Sequence, residues 1–286
     1  MTLSPAAPDT GVVFVRKSGA ASVRLGASIR NLVSTELCTA ISSQGAQIKT
    51  IEHVLAALSG LGVDNVMIEI DAGEVPVLDG SSGPFVRLIR AAGVVPQKRA
   101  QRFLKVTQPI EVTDGVRRVI IEPSPTPRVT YTIAYNHPLI GQQSMDFEYS
   151  PLSFEREIAD ARTFGFLREV EALWSRGLGK GGSLDNTVVL SETGVVNETG
   201  LRFQNEFVRH KILDLIGDLA LMGMPFIGHV KADRSGHALH TKLVTEILRR
   251  PECWVMLSLD DHSVPHELSP APHQPFHAAA SVASAA

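Results

Sequence analysis

FVRHKILDLIGDLALMG, residues 207–223, reads as a helix that does not belong on a surface. Val208, Ile212, Leu215, Leu219 and Met222 form one apolar stripe at helical spacing. Leu213, Ile216 and Ala220 widen it beyond what a surface helix needs. On the other side His210, Asp214 and Asp218 follow at i, i+4 and i+8, nearly in one row. A helix apolar over so much of its girth is expected to be buried, and its polar row then needs partners. A His and an Asp one turn apart can offer a nitrogen and an oxygen to one Zn²⁺. Ordinary neighbours on a helix surface share that spacing, so the pair alone does not decide the chemistry.

Working outward, a second apolar helix follows Thr50, which the spacing predicts as its cap. Ile51, Val54, Leu55 and Leu58 fall at i, i+3, i+4 and i+7, and Gly60 and Gly62 end the run. Val66–Ile70 then reads as a strand. After a Pro-Val-Leu-Asp-Gly-Ser-Ser turn comes a helix with Pro84 near its start and Gly93 just past its end. VVPQKRAQR, residues 94–102, is basic and aperiodic and reads as a linker. Beyond it FLKVTQPIEV, RRVIIEP and RVTYTIAYNHP read as strands, with Asp114-Gly115 turning a hairpin. Helical patterns return at Phe154–Ala161 and Phe207–Met222. Strands followed by helices in each half predict an α+β fold of two layers rather than a doubly wound sheet. Each half has an apolar helix with a histidine in its first turns, which hints at an internal duplication.

A chain of 286 residues is long enough for two domains and a core that needs no staples. Hydrophobic residues at 44% and charged residues at 20% fit a globular protein. Lys+Arg 27 against Asp+Glu 30 gives −3, so no basic field invites nucleic acid. Cys38 and Cys253 are too few for a disulfide framework or a cysteine-built zinc site. No run approaches the length of an apolar span, and MTLSPAAPDT lacks the basic start of a signal peptide. A soluble, cytoplasmic enzyme is the expectation. Residues 268–286, rich in Pro, Ala, Ser and His, are expected to form a solvated tail rather than a metal site.

Three further segments carry chemistry-bearing residues. Glu52-His53 stands in the first turn after Thr50. Catalytic zinc usually takes three protein ligands, and His53 can complete His210 and Asp214, with Glu52 beside it to take a proton from water. The plainer reading is a glutamate favoured by the helix dipole next to a partly buried histidine. RSGHALH, residues 234–240, places His237 after a Ser-Gly turn, either as a catalytic loop residue or as a loop histidine with a local hydrogen bond. GLGKGGSLDN, residues 177–186, is glycine-rich, but Gly181 follows Lys180 where a P-loop needs Ser or Thr, which argues against nucleotide hydrolysis.

TIEHVLAALSGLGVDN, VPVLDGSSGPFV, ARTFGF, GLGKGGSLDNTVVL, LRFQNEFVRHKILDLIGDLALMG and GHVKADRSGHAL, in this order, resemble the signatures of the UDP-3-O-acyl-N-acetylglucosamine deacetylases. These are zinc amidases that commit bacteria to lipid A synthesis. The resemblance covers about residues 2–265. It implies two domains of β-α-α-β layers with the helices sandwiched between two sheets, 1–97 and 98–267. His53, His210 and Asp214 match the family's zinc ligands, and Glu52 matches its general base. His237 matches the residue that protonates the leaving amine or steadies the oxyanion. Asp218 matches the carboxylate orienting that histidine, and Thr163 a hydroxyl at the oxyanion. Lys211 and Arg234 match basic residues toward the diphosphate and nucleotide, and Phe164 and Phe166 aromatics lining the cleft. About residues 169–189, with Val170, Leu173, Trp174, Leu178 and Leu184, match an insert forming a passage for the fatty acyl chain.

The implied partner is an acylated UDP-sugar, with transient contact at the inner membrane surface, in a monomer. Family members carry a strand and a Gly-x-Gly-x-His-x-Gly turn ahead of the segment matching MTLSPAAPDTGVVFVR, and the given sequence opens after that element. A second reading is therefore an inactive homologue that binds the acylated UDP-sugar without turnover. A third is another zinc amidase on the same scaffold.

Overall fold

The computed structural model describes residues 1–19 and 21–259. The expected tail at 268–286 lies outside the described residues. The chain opens with strands β1 (Thr2–Pro5), β2 (Val12–Ser18) and β3 (Ala21–Gly26). β4 (Leu32–Ser34), β5 (Ala40–Ser43) and β6 (Ala46–Ile48) make a small antiparallel sheet. Helix α1 (Glu52–Gly60), strand β7 (Val66–Ile70) and helix α2 (Gly83–Ala92) follow. β7 returns parallel to β2 and antiparallel to β1, giving the order β1-β7-β2-β3.

The next strands are β8 (Gln101–Val106), β9 (Ile110–Asp114), β10 (Arg117–Glu122), β11 (Arg128–Ala134) and β12 (Gln142–Glu148). A single turn, α3 (Pro151–Ser153), runs into a π-helical stretch at Phe154–Ile158. Then come β13 (Phe164–Phe166), α4 (Leu167–Ser175), β14 (Val188–Leu190) and α5 (Glu206–Leu219). The chain finishes through β15 (Phe226–Ile227), β16 (His229–Asp233), α6 (His237–Arg249) and β17 (Trp254–Leu259). The large second sheet has the order β12-β11-β16-β10-β9, and β15-β8-β17 is a separate three-stranded sheet.

This is an α+β fold with helices between sheets. β7 and β11 bury alternate residues, as strands with one face on a core do. α1 is buried over nearly its whole circumference, from Glu52 to Leu58 and again at Gly60, and α5 over all but two of its residues, Arg209 and Lys211. The two helices pack on each other with no room for a side chain at the crossing. A Cβ on Gly217 of α5 would lie 2.1 Å from the carbonyl oxygen of Glu52, and one on Gly60 would lie 2.2 Å from the Phe154 ring. Glycine at 217 thus lets α5 touch the first turn of α1.

The hinted duplication is visible in the strand order. β10-β16-β11-β12 repeats β1-β7-β2-β3, each with the strand after the apolar helix lying parallel to one neighbour and antiparallel to the other. Inserts occupy the same point in both repeats: β4–β6 before α1, and β13, α4 and β14 before α5.

Several expectations need correcting. Thr50 is not the cap of α1: it has a left-handed backbone, and its hydroxyl donates to the Glu74 carboxylate beside the Lys49–Glu74 bridge. The position before Glu52 is Ile51, with no side-chain cap. The linker ends sooner than read, because Gln101 and Arg102 already pair with β17. FLKVTQPIEV is two strands in different sheets, broken around Pro109, which lacks a ladder donor. His237 is not in a loop but is the first residue of α6, with Gly236 at the cap. Leu239, Leu243, Val244 and Ile247 give that helix its buried face.

Candidate functional site

Where α1 crosses α5, the first turn of one helix meets the polar row of the other. His53, His210 and Asp214 are all buried, and one donor atom from each lies within 4.8 Å of the others. Asp214 Oδ1 is 3.3 Å from His210 Nε2 and 3.7 Å from His53 Nε2, and the two imidazole rings stand edge to face at 5.1 Å. His210 Nδ1 donates to the Ala161 carbonyl at 3.0 Å, which leaves Nε2 with its lone pair turned toward the cluster. Burial pushes this imidazole down to about 4, so it is neutral near pH 7. Burial alone would raise the Asp214 carboxyl, but the Lys211 ammonium, 2.7 Å from Oδ2, helps hold it well below the usual carboxylate range. His53 Nδ1 is buried without a hydrogen-bond partner. Two imidazoles and a carboxylate, one ring short of partners, are a donor set suited to a divalent cation.

Glu52 sits next to this cluster, and its Oε2 accepts from the Thr39 backbone N–H at 3.0 Å. Burial raises the Glu52 carboxyl above its ordinary 4.5. One turn along α5 from Asp214, Asp218 accepts at Oδ2 from His237 Nδ1 at 2.7 Å and at Oδ1 from the Thr39 hydroxyl. Burial works against a charge on His237, but the Asp218 carboxylate outweighs it and lifts the imidazole to about 10. A buried glutamate on α1 and a carboxylate-bound, charged histidine on α6 therefore accompany the metal-type cluster.

The remaining residues singled out from sequence are placed as follows. Thr163 is half-buried, two residues after the Ala161 carbonyl that orients His210. Its backbone is pinned by Gly80 O and Val188 N, each at 2.8 Å. The ring of Phe164 lies against His210 (6.5 Å between centroids) and Phe207, with the Lys211 ammonium 5.7 Å above it. Phe166 is buried against Tyr135 and His137. Arg234 does not join the cluster: its guanidinium makes two bonds to Asp233 on the surface. In the insert, Arg176 pairs with Glu36, and Trp174 and Leu184 are exposed.

Three features escaped the sequence reading. Thr39 bonds both the Glu52 and the Asp218 carboxylates, yet a lone threonine between short strands carries no spacing signal. The buried Arg162–Glu206 ion pair ties the segment carrying Ala161 and Thr163 to the start of α5. His240 also bonds Asp218, and its spacing of one turn from His237 was the available clue.

A profile of the LpxC family, described as UDP-3-O-acyl N-acetylglycosamine deacetylase, matches residues 1–249. The chain belongs to this family. It is similar to the UDP-3-O-acyl-N-acetylglucosamine deacetylase of Citrifermentans bemidjiense, 48% identical over 257 residues, which are 90% of this chain and 84% of that protein. The protein of the same name from Xanthomonas campestris pv. campestris (strain B100) is 46% identical over 263 residues, 91% of this chain and 87% of its own. That from Syntrophus aciditrophicus is 45% identical over 258 residues, 90% and 82% respectively. Family members are metalloenzymes, and this chain is a hydrolytic enzyme among them. No helix among the described residues is long and apolar enough to cross a membrane.

Proposed function

We propose that the chain removes the N-acetyl group of UDP-3-O-(3-hydroxyacyl)-N-acetylglucosamine by zinc-dependent hydrolysis, releasing acetate and a free amine, the committed step of lipid A biosynthesis. The observation that carries this reading is the meeting of His53 from α1 with His210 and Asp214 from α5, beside a buried glutamate and a carboxylate-bound histidine. His53, His210 and Asp214 would hold the Zn²⁺, which would supply the Lewis acidity for activating water and polarising an amide carbonyl. Glu52, steadied by the Thr39 amide, accepts the proton of the attacking water. His237, kept protonated by Asp218, faces the charge that develops on the carbonyl oxygen and gives its proton to the departing amine. Thr163 adds a hydroxyl on the side of the Ala161–Phe164 segment. Lys211 and Arg234 are the cations toward the diphosphate and nucleotide.

Phe164 and Phe166 wall the sugar, and the apolar insert at 169–189 takes the acyl chain. In the same reading 1–97 and 98–267 are the two domains. The chain works as a cytoplasmic monomer and meets the inner membrane surface only transiently, where its acylated substrate and product partition.

Stripping the metal with a chelator is expected to abolish acetate release, and about one equivalent of Zn²⁺ per chain should restore it. Full turnover in a thoroughly metal-free preparation sinks the reading; so does failure of UDP to compete with substrate. Activity should also decline with rising pH as His237 loses its proton, since a group whose pKa is raised carries its charge below that value and loses it above. The groups facing it are Asp218 and Asp214 of α5, Glu52 of α1, His240 of α6 and the Thr39 hydroxyl. In a pH–rate profile His237→Gln is expected to lose that descending limb together with about 10²- to 10⁴-fold of the rate.

A further inference from the structure

His240 lies on α6 one turn after His237 and is completely buried, and nothing in the proposed reaction uses it. Its Nδ1 donates to Asp218 Oδ2 at 2.8 Å, the same oxygen that accepts from His237 at 2.7 Å. With the Thr39 hydroxyl on Oδ1, the Asp218 carboxylate is held by three donors from three directions. On the far side of the ring, His240 Nε2 is 3.0 Å from both the Tyr131 and the Ser235 hydroxyls, and Ser235 donates to Tyr131 at 2.8 Å. The Ser235 proton being directed to the Tyr131 oxygen, the Tyr131 proton is left for His240 Nε2, which makes that nitrogen an acceptor and Nδ1 the donor. The chain of bonds therefore has one consistent direction, from Ser235 through Tyr131 and His240 to Asp218. Burial keeps the His240 ring below its ordinary proton affinity, in agreement with a neutral imidazole.

Asp218, His237 and His240 also have metal-type spacing, but both Nδ1 atoms already donate to the carboxylate, so the group is a hydrogen-bond network.

We propose that His240 is a positioning residue for the reaction: anchored by Tyr131 and Ser235, it fixes the Asp218 carboxylate in the orientation that presents His237 to the reacting amide. The inference rests on the proposed role of His237 as proton donor. Without His240 the carboxylate would keep only the Thr39 hydroxyl on Oδ1 and His237 itself on Oδ2, and His237 would follow any rotation about χ2 rather than resist it. Two donors on that oxygen, from rings 6.2 Å apart and nearly perpendicular, remove that freedom.

The test compares His240→Leu, which removes the donor, with His240→Asn, which can return an N–H to Asp218, both in the zinc-loaded full chain. His240→Leu is expected to lower kcat by about 10- to 100-fold, the range typical of supporting partners at metal sites, with KM and bound zinc little changed. His240→Asn should recover most of that loss. The downfield proton NMR signal of the His237–Asp218 bond should persist in His240→Asn and broaden or shift in His240→Leu. Wild-type kcat in His240→Leu overturns the proposal, as does a His240→Asn variant no better than His240→Leu at equal thermal stability. Should His240→Leu not fold, Tyr131→Phe with Ser235→Ala strips the ring of its anchors instead; a wild-type kcat there also overturns it. A wild-type chain that released no acetate would count against the proposed function instead, because the NMR signal reads the network without turnover.

Discussion

Glu52→Gln is expected to slow acetate release by about 10²- to 10⁴-fold while leaving the metal content of the chain unchanged. The substitution is nearly isosteric, and the glutamine carbonyl can still accept the Thr39 backbone N–H that Glu52 Oε2 accepts at 3.0 Å. What disappears is the capacity to take a proton. Glu52 is buried, its carboxyl raised by that burial, and it stands next to His53 in the first turn of α1. His210→Ala gives the contrasting result, since it removes one of the two nitrogens and is expected to lose metal and turnover together. Steady-state kinetics beside metal analysis separates the two patterns. A Glu52→Gln variant that kept more than about a tenth of wild-type activity would remove this residue from the role of base.

Gly217→Ala should destabilise the protein and disable the site at once, although alanine in a helix is ordinarily favoured over glycine by about 1 kcal/mol. The added carbon would lie 2.1 Å from the Glu52 carbonyl oxygen, and that oxygen belongs to the backbone of a buried helix rather than to a flexible side chain. Relief requires α1 and α5 to separate, and overpacking of this kind costs about 1–3 kcal/mol. Glu52 and His53 would move away from Asp214 and His210, whose spacing a bound ion must match. Thermal melts and zinc affinity should both fall. Gly73→Ala is the control, because there the nearest atom to a new Cβ is Gln47 O at an ordinary 3.9 Å. Equal stability of Gly217→Ala and the parent would mean that the helices yield without cost and that their contact does not set the site.

The buried helix at 206–219 and the histidine-bearing helix at 52–60 were legible because apolar residues at a helical period leave few other solutions. The metal-type cluster was legible only in part. His210 and Asp214 share one helix and therefore a spacing, whereas His53 is brought to them by a crossing that Gly217 permits and that no local pattern encodes. Thr50 was misjudged because a threonine ahead of an apolar helix has competing uses, and here its hydroxyl is taken by Glu74. Pro109 explains the other misreading: the run from Phe103 to Val112 is continuous in hydrophobicity but not in backbone donors. Thr39 and Arg162 act through carboxylates distant in sequence, and only the folded chain reveals such bonds.

The repeated strand order bears on ancestry. Two copies of one β-β-β-α-β-α unit put their equivalent helices face to face, and the His53–His210–Asp214 cluster lies on the seam between them. Divergence then needed no new scaffold. One copy has a glutamate and a single imidazole at the start of its helix, and the other an imidazole and three carboxylates, Glu206, Asp214 and Asp218, along its length. The inserts that each copy acquired at the same topological point now lean together through Arg176 and Glu36. Two units of like topology thus contribute unlike side chains to one cluster that neither holds alone.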